Sequence, residues 1–107
     1  MHEYRATVER VVDGDTVDFD IDLGFHVRTR QRCRLLGYDA PEKFGPEKVR
    51  GEEAKRHLQV LLSEPGELFV RTAKTEKYGR WLAQVELIDG SRSLNVNEQM
   101  KAFCDAN

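Results

Sequence analysis

The chain carries almost nothing with which to staple itself together. Two cysteines, Cys33 and Cys104, stand in 107 residues, far too few for the disulfide framework of a small secreted scaffold. Each alternates with or is spaced among apolar residues, which predicts buried free thiols, and neither has a second cysteine or a histidine at zinc-ligand spacing. Long apolar runs are missing too. No stretch approaches the roughly 20 residues that cross a bilayer, which excludes a membrane-spanning helix, and no membrane partner is expected. Behind Met1-His2-Glu3-Tyr4-Arg5 there is no apolar h-region. That predicts a cytoplasmic protein if the chain is complete, or one whose leader has been removed.

Positive charge is also lacking. The formal net charge is -2, whereas proteins that coat nucleic acid do so by neutralising phosphates with Lys and Arg. Any phosphate-binding site must therefore be a local cluster of basic groups. Aromatic residues make up only 8% of the chain, which argues against a single-strand binder that works by stacking bases. What is present is an ordinary globular balance, 39% hydrophobic and 34% charged. With no repeat, low-complexity tract or linker, residues 1–107 are expected to form a single domain with one modest core.

Local patterning supplies the elements. Val8, Val11 and Val12 are strand-like, and Asp13-Gly14 signals a turn. Val17, Phe19, Ile21 and Leu23 then alternate with Asp18, Asp20 and Asp22, the period-two signature of a half-buried strand. After Gly24 the alternation resumes, with Val27, Thr29, Gln31, Cys33 and Leu35 on one parity and Arg28, Arg30, Arg32 and Arg34 on the other. Gly51 to Leu62 reads as a helix carrying Ala54, Leu58, Leu61 and Leu62 on one stripe, stopped by Ser63-Glu64-Pro65-Gly66. Leu68 and Val70 mark a fourth strand, and Trp81, Ala83, Val85 and Leu87 a fifth, ended by Asp89-Gly90. A second helix begins at Asn95, where Asn95 and Glu98 make a capping-box-like pair, with Val96, Met100, Phe103 and Cys104 as its apolar stripe. The fold class is therefore mainly β with helices. The order β-β-β-α-β-β-α is the pattern of a five-stranded OB-fold barrel.

The run Asp18-x-Asp20-x-Asp22 invites a calcium-loop reading and fails it. An EF-hand loop wants Gly at its sixth position and Glu at its twelfth, where this chain has Leu23 and Thr29. A hairpin turning at Gly24-Phe25-His26 accounts for the acids better: Asp22 then faces Arg28, Asp20 faces Arg30 and Asp18 faces Arg32. Opposite charges directly across an antiparallel pair contribute about 0.2–1 kcal/mol each. The arginine stripe is thereby expected to be largely neutralised. One rung further, Arg34 faces Thr16 rather than an acid. A regular register puts Asp15 and Arg34 on opposite faces, so a bulge or barrel curvature is needed if both serve one site.

Three segments stand outside this structural account: Val12-Asp13-Gly14-Asp15-Thr16-Val17, Arg34-Leu35-Leu36-Gly37-Tyr38-Asp39-Ala40-Pro41-Glu42 and Thr75-Glu76-Lys77-Tyr78-Gly79-Arg80. With Gly51-Glu52-Glu53-Ala54 and Val96-Asn97-Glu98, they resemble the staphylococcal nuclease (thermonuclease) family over nearly the whole chain, from about Ala6 to Phe103. The resemblance implies a calcium ion held by Asp15, Asp39 and the backbone carbonyl of Ala40, where the family usually has Thr. It implies Arg34 and Arg80 as catalytic arginines, Glu42 as the essential glutamate, and Lys77 and Tyr78 on a substrate phosphate.

The chemistry suits these residue types. Calcium takes about 6–8 oxygens, so two carboxylates and one carbonyl leave room for water and a phosphate oxygen, and binding should be weak without substrate. Guanidinium forks match phosphate oxygens and act most strongly as negative charge gathers in the transition state. Glu42 is the candidate general base for the attacking water. The implied activity is a calcium-dependent endonuclease on DNA, RNA or both, single strands preferred, leaving 3′-phosphate ends. The competing expectation is a non-catalytic module of the same fold that binds nucleic acid or protein. Longer family members continue past the position of Asn107 with a tyrosine-bearing segment and a third helix, which implies a weaker grip on substrate here and a monomer or weak dimer. His2, His26 and His57 are expected at the surface without a role, and Trp81 is expected to pack in the fifth strand, with stacking on a base as the alternative.

Overall fold

The computed structural model describes residues 2–75 and 81–106. Six strands, a short 3₁₀ turn and two helices follow in the order β1 (His2–Asp13), β2 (Thr16–Asp22), β3 (Arg28–Leu35), the 3₁₀ turn Gly45–Glu47, α1 (Lys48–Leu62), β4 (Glu67–Thr75), β5 (Trp81–Asp89), β6 (Arg92–Asn95) and α2 (Val96–Ala106). The sheet runs β3-β2-β1-β4-β5-β6, and a parallel pairing of β3 with β5 closes the first five strands into a barrel. The fold is the expected five-stranded mixed barrel with two helices. The short β6 is an addition, paired antiparallel to the second half of β5.

The alternating residues fill the barrel. Val17, Phe19 and Ile21 of β2, Cys33 and Leu35 of β3, Val70 of β4 and Ala83, Val85 and Leu87 of β5 are buried. Ala54, Leu58 and Leu62 of α1 and Val96 and Met100 of α2 join the same core. Leu61, Phe103 and Cys104 pack at its margin. Both cysteines are free, and burial pushes the Cys33 thiol up to about 12, with the Asp18 charge adding to it, which makes Cys33 a poor nucleophile.

β1 is longer than its valine pattern predicts. It pairs with β2 on one side and β4 on the other, and register irregularities between Val8 and Arg10 and between Val11 and Asp13 bend it around the barrel. The helix α1 begins three residues before Gly51, because the 3₁₀ turn with Pro46 in its first positions leads straight into Lys48. Gly51 is needed for packing. A Cβ there would stand 2.2 Å from the Glu42 carbonyl oxygen, so the helix rests directly on the backbone of the loop that precedes it.

The β2–β3 register is the one expected, Asp22 opposite Arg28, Asp20 opposite Arg30 and Asp18 opposite Arg32. The side chains depart from it by one rung. Arg32 meets Asp18 with two hydrogen bonds of 2.8 and 3.1 Å, but Arg28 leans to Asp20 at 2.9 Å and stands only 3.8 Å from Asp22. Arg30 turns away to Glu9 on β1 at 3.4 Å. The long guanidinium arms span diagonal neighbours as readily as direct ones. The stripe remains neutralised, with a different set of acids.

Hydrogen bonding by the Arg32 guanidinium holds the Asp18 carboxyl below the usual carboxylate range. A depressed folded-state pKa adds stability above the unfolded value, about 3.9, and the gain disappears as pH falls through the folded value. Arg32→Gln should therefore cost about 0.2–1 kcal/mol at neutral pH and close to zero near pH ~2, read from urea midpoints. A deficit of the same size at both pH values would show that Arg32 acts through packing, not charge.

Candidate active site

The turn between β1 and β2 brings Asp15 to the end of β3. Asp13 pairs with Thr16, leaving Gly14-Asp15 as a two-residue turn. Gly14 is required by crowding: a Cβ would lie 2.7 Å from that of Ala54 on α1 and 2.8 Å from that of Ala40. Asp15 belongs to the turn and not to a strand, so strand parity does not constrain its side chain. No bulge between it and Arg34 is needed. The Asp15 backbone still extends the ladder, its carbonyl accepting the Leu35 N–H at 2.8 Å, one rung beyond the Thr16–Arg34 pair.

On this turn Asp15, Arg34, Asp39 and Ala40 come together. The Arg34 Nη2 lies 3.3 Å from Asp15 Oδ2, bonds the Asp39 carboxylate and approaches the Tyr38 carbonyl at 3.5 Å. Asp15 Oδ2 also accepts the Ala40 N–H at 3.1 Å, and its Oδ1 accepts the Thr16 hydroxyl at 3.1 Å. The side chains of Asp15 and Arg34 are 15% and 23% exposed, whereas that of Asp39 is 87% exposed. One wall of the site is thus half-buried and rigidly bonded, and the other opens to solvent.

Two residues without an assigned role build the frame. Tyr38 is buried, and its hydroxyl donates to the Gly14 carbonyl at 2.6 Å. Burial, and then the nearby Asp15 charge, raise its pKa, keeping it a neutral donor. Lys43 donates to the Val12 carbonyl at 2.8 Å and pairs with Asp13 at 3.2 Å. Together they tie the 38–43 loop to the β1–β2 turn at two points. The aromatic residue between Gly37 and Asp39 was the sequence signal for the first; a single lysine in a chain rich in charge offered none. Cys104 on α2 completes the neighbourhood. Burial raises its thiol pKa and the Asp15 charge adds to the effect.

Glu42 is exposed, and its side chain forms no hydrogen bond or ion pair with the described residues. Its backbone carbonyl supports Gly51. Lys77, Tyr78 and Arg80 lie outside the described residues.

A cation is already held between two carboxylates here, in the form of the Arg34 guanidinium. Oxygen atoms of Asp15 and Asp39 that converge on one positive nitrogen form a donor pair suited to a hard divalent ion. Among the described residues no group of three or more His, Cys, Asp or Glu side chains could hold a metal. The pair fits such an ion as a partial ligand set, the remainder falling to carbonyl, water or substrate oxygens.

Comparison with characterised proteins gives three matches. The chain is 35% identical over 108 residues to Endonuclease YhcR of Bacillus subtilis (strain 168), covering 92% of this chain and 8% of that protein. It is 34% identical over 96 residues to Thermonuclease of Staphylococcus intermedius, covering 83% of this chain and 51% of that protein. It is 35% identical over 83 residues to Protein ParB of Escherichia coli, covering 78% and 42% respectively. The chain thus spans about half the length, or less, of the relatives it matches. No family model matches it.

The frame has a measurable strength. Tyr38→Phe keeps the ring but leaves the buried Gly14 carbonyl without its donor, which should cost about 1–3 kcal/mol and lower the thermal midpoint. An unchanged midpoint would show that water replaces the hydroxyl and that the tie does not hold the turn.

Proposed function

We propose that this chain is a nuclease domain of the staphylococcal nuclease type, hydrolysing phosphodiester bonds in DNA or RNA with calcium. One observation carries the reading: Arg34 is gathered with Asp15 and Asp39 where the Asp13-Gly14-Asp15-Thr16 turn meets the Asp39-Ala40-Pro41-Glu42 loop. Two of the aligned relatives are named an endonuclease and a thermonuclease, which supports the same class of activity.

In this reading Asp15, Asp39 and the Ala40 carbonyl hold calcium. When bound, the ion supplies Lewis-acid polarisation of a phosphoryl oxygen. The chain's own groups do the rest. Arg34 presents guanidinium donors to the phosphate and stabilises the charge that develops in the transition state. Asp15, fixed by Thr16, Ala40 and Arg34, orients that guanidinium. Glu42 accepts a proton from the attacking water as the new P–O bond forms. The P–O5′ bond then breaks, and the leaving oxygen takes a proton from solvent, giving a 3′-phosphate end. Arg80 is assigned a second guanidinium role, and Lys77 and Tyr78 contact the phosphate. Single strands are the preferred substrate, because their backbone can reach a shallow site at a loop edge, and a monomer or weak dimer suffices for the reaction.

A second reading has its own observation. Both carboxylates are engaged by Arg34, and the Glu42 side chain is without a partner among the described residues. A binding module of the same fold, acting on nucleic acid or protein without hydrolysis, would look the same.

Purified protein incubated with single-stranded DNA separates the two readings. Calcium should give cleavage and a chelator should abolish it; no calcium-dependent cleavage at high protein concentration leaves only the binding module. Where cleavage occurs, Arg34→Ala and Arg80→Ala should each lose about 10²–10³-fold in rate, and Glu42→Gln about 10²–10⁴-fold. Unchanged rates would remove those residues from the site. Calcium titration without DNA should show weak binding that Asp39→Asn weakens further.

A further inference from the structure

The barrel has a second open feature, at the end where β1 and β5 begin and β2 and β4 finish. A cavity of about 360 Å³ opens there, within the range of roughly 300–1,000 Å³ that small-molecule sites occupy. Its position follows from the strand pattern. Cys33 and Leu35 of β3 point into a closed core, but Gln31 and Thr29, on the same parity, are only half-buried. At this end the barrel is not filled.

The lining has an unusual composition for this chain. Charged residues are 34% of the sequence, yet among the described residues around the cavity there is no Asp, Glu, Lys or Arg, and His2 is the one titratable side chain besides Tyr4. Tyr4 and Trp81 supply aromatic walls, and Ile21 and Leu23 an apolar floor. Gln31 and Thr72 add polar groups. The Gln31 amide N–H donates to Thr29 Oγ1 at 2.9 Å, which fixes the amide orientation. Among the described residues its carbonyl oxygen receives no donor. A flat, uncharged ring with a hydrogen-bonding edge satisfies all of these features. A phosphate or carboxylate suits the lining less, since no Lys or Arg among the described residues faces it.

We propose that this barrel mouth binds a neutral heteroaromatic base, stacked on Trp81 or Tyr4 and hydrogen-bonded at its edge by Gln31. Base–aromatic stacking is tolerant of sequence because every base has a π-face; the amide edge adds selectivity. The site is separate from the Asp15–Arg34–Asp39 cluster. Gln31 and Arg34 are three residues apart on β3, about 10 Å, and lie on opposite parities. The ligand class follows from the lining alone and does not depend on the hydrolytic reading. The source, a free nucleoside or a base in a strand, is settled by experiment.

Trp81 is the sole tryptophan, so its fluorescence reports the site directly. Adenosine and thymidine, added with chelator present to prevent cleavage, should change Trp81 emission saturably, and inorganic phosphate should not. A single-stranded oligonucleotide that saturates at lower concentration than the nucleosides identifies a strand as the ligand; the reverse identifies the free nucleoside. Gln31→Leu should weaken binding about tenfold, with Thr29→Val as a second variant should the first fail to fold. Arg34→Ala should leave the nucleoside response unchanged, which separates this site from the proposed hydrolytic one. No saturable response to nucleoside or oligonucleotide, or equal affinity in Gln31→Leu, overturns the proposal. So does an emission change driven by protein concentration alone. That result would assign the cavity to Phe25 of a second copy, a side chain 98% exposed at the β2–β3 tip.

Discussion

Barrel closure rests on a short parallel seam and one amide side chain. β3 and β5 pair only through Cys33, Arg34 and Leu35 against Trp81, Ala83 and the residue between them, Leu82. The Leu36 carbonyl and the Val85 N–H lie past the last β3–β5 pair, and a buried backbone group left without a partner costs about 1–3 kcal/mol. Asn97, at the start of α2, satisfies them. Its Oδ1 accepts the Val85 N–H at 2.8 Å, and its Nδ2 donates to the carbonyls of Leu36 at 2.8 Å and Ala83 at 3.0 Å. Leu36 N–H adds a bond to the Ala83 carbonyl at 2.9 Å. One buried side chain therefore docks α2, ends β3 and fixes the start of the loop that carries Asp39 and Glu42.

The candidate site inherits its geometry from this closure. Arg34 sits in the seam itself, paired with Thr16 on one side and Leu82 on the other. Its backbone cannot shift without opening the barrel. The Asp39 loop leaves β3 after Leu35, is anchored at Leu36, and two residues further on Tyr38 returns it to the Gly14 carbonyl. Helix α1 closes the far side, with Gly51 against Glu42 and Ala54 against Gly14. Each close approach requires a glycine. The site is a loop and a turn clamped between a helix and a seam, and such placement holds side chains more firmly than loop residues usually are.

Much of this was legible in the residues because period-two alternation and turn chemistry are local signals. The β2–β3 register followed from Gly24-Phe25-His26, whose φ angles of 81°, 55° and 62° make the tight reversal. The barrel order followed from counting elements. What local signals could not show was tertiary in origin. β6 is four residues with one apolar side chain at its centre, and it exists because the outer edge of β5 is open beyond the seam. Arg30 chose Glu9 over Asp20 because the curved β1 brings Glu9 alongside, which no hairpin register contains. A regular register sets Asp15 and Arg34 on opposite faces, but Asp15 lies in the Gly14-Asp15 turn, where strand parity does not apply and no bulge is needed to bring the two together. Asn97 and Lys43 carry tertiary bonds that spacing alone does not announce. His57, expected at the surface without a role, stacks on Phe103 of α2, ring centroids 4.1 Å apart.

Charge divides the surface into three zones with different capacities. Along the outer face of β2 and β3 the arginines are matched by acids that strand register or β1 supplies, so their guanidinium groups are held to carboxylates by the fold itself. Arg34 differs in the origin of its partners. Asp15 and Asp39 come from a turn and from a loop, and the Asp39 carboxylate is almost fully solvated. An ion pair with one solvated member contributes little to stability, of order 0–1 kcal/mol, so exchanging it for a phosphate contact costs correspondingly little. The half-buried Asp15 cannot be exchanged so cheaply, because its Oδ2 also receives the Ala40 amide. Arg34 is therefore anchored by one acid and only loosely engaged by the other, the combination a guanidinium needs to keep its position while turning toward an incoming anion. At the opposite end of β3 the described residues that line the barrel mouth include no Asp, Glu, Lys or Arg. An anionic backbone and a neutral ring would thus be sorted to different ends of the same strand.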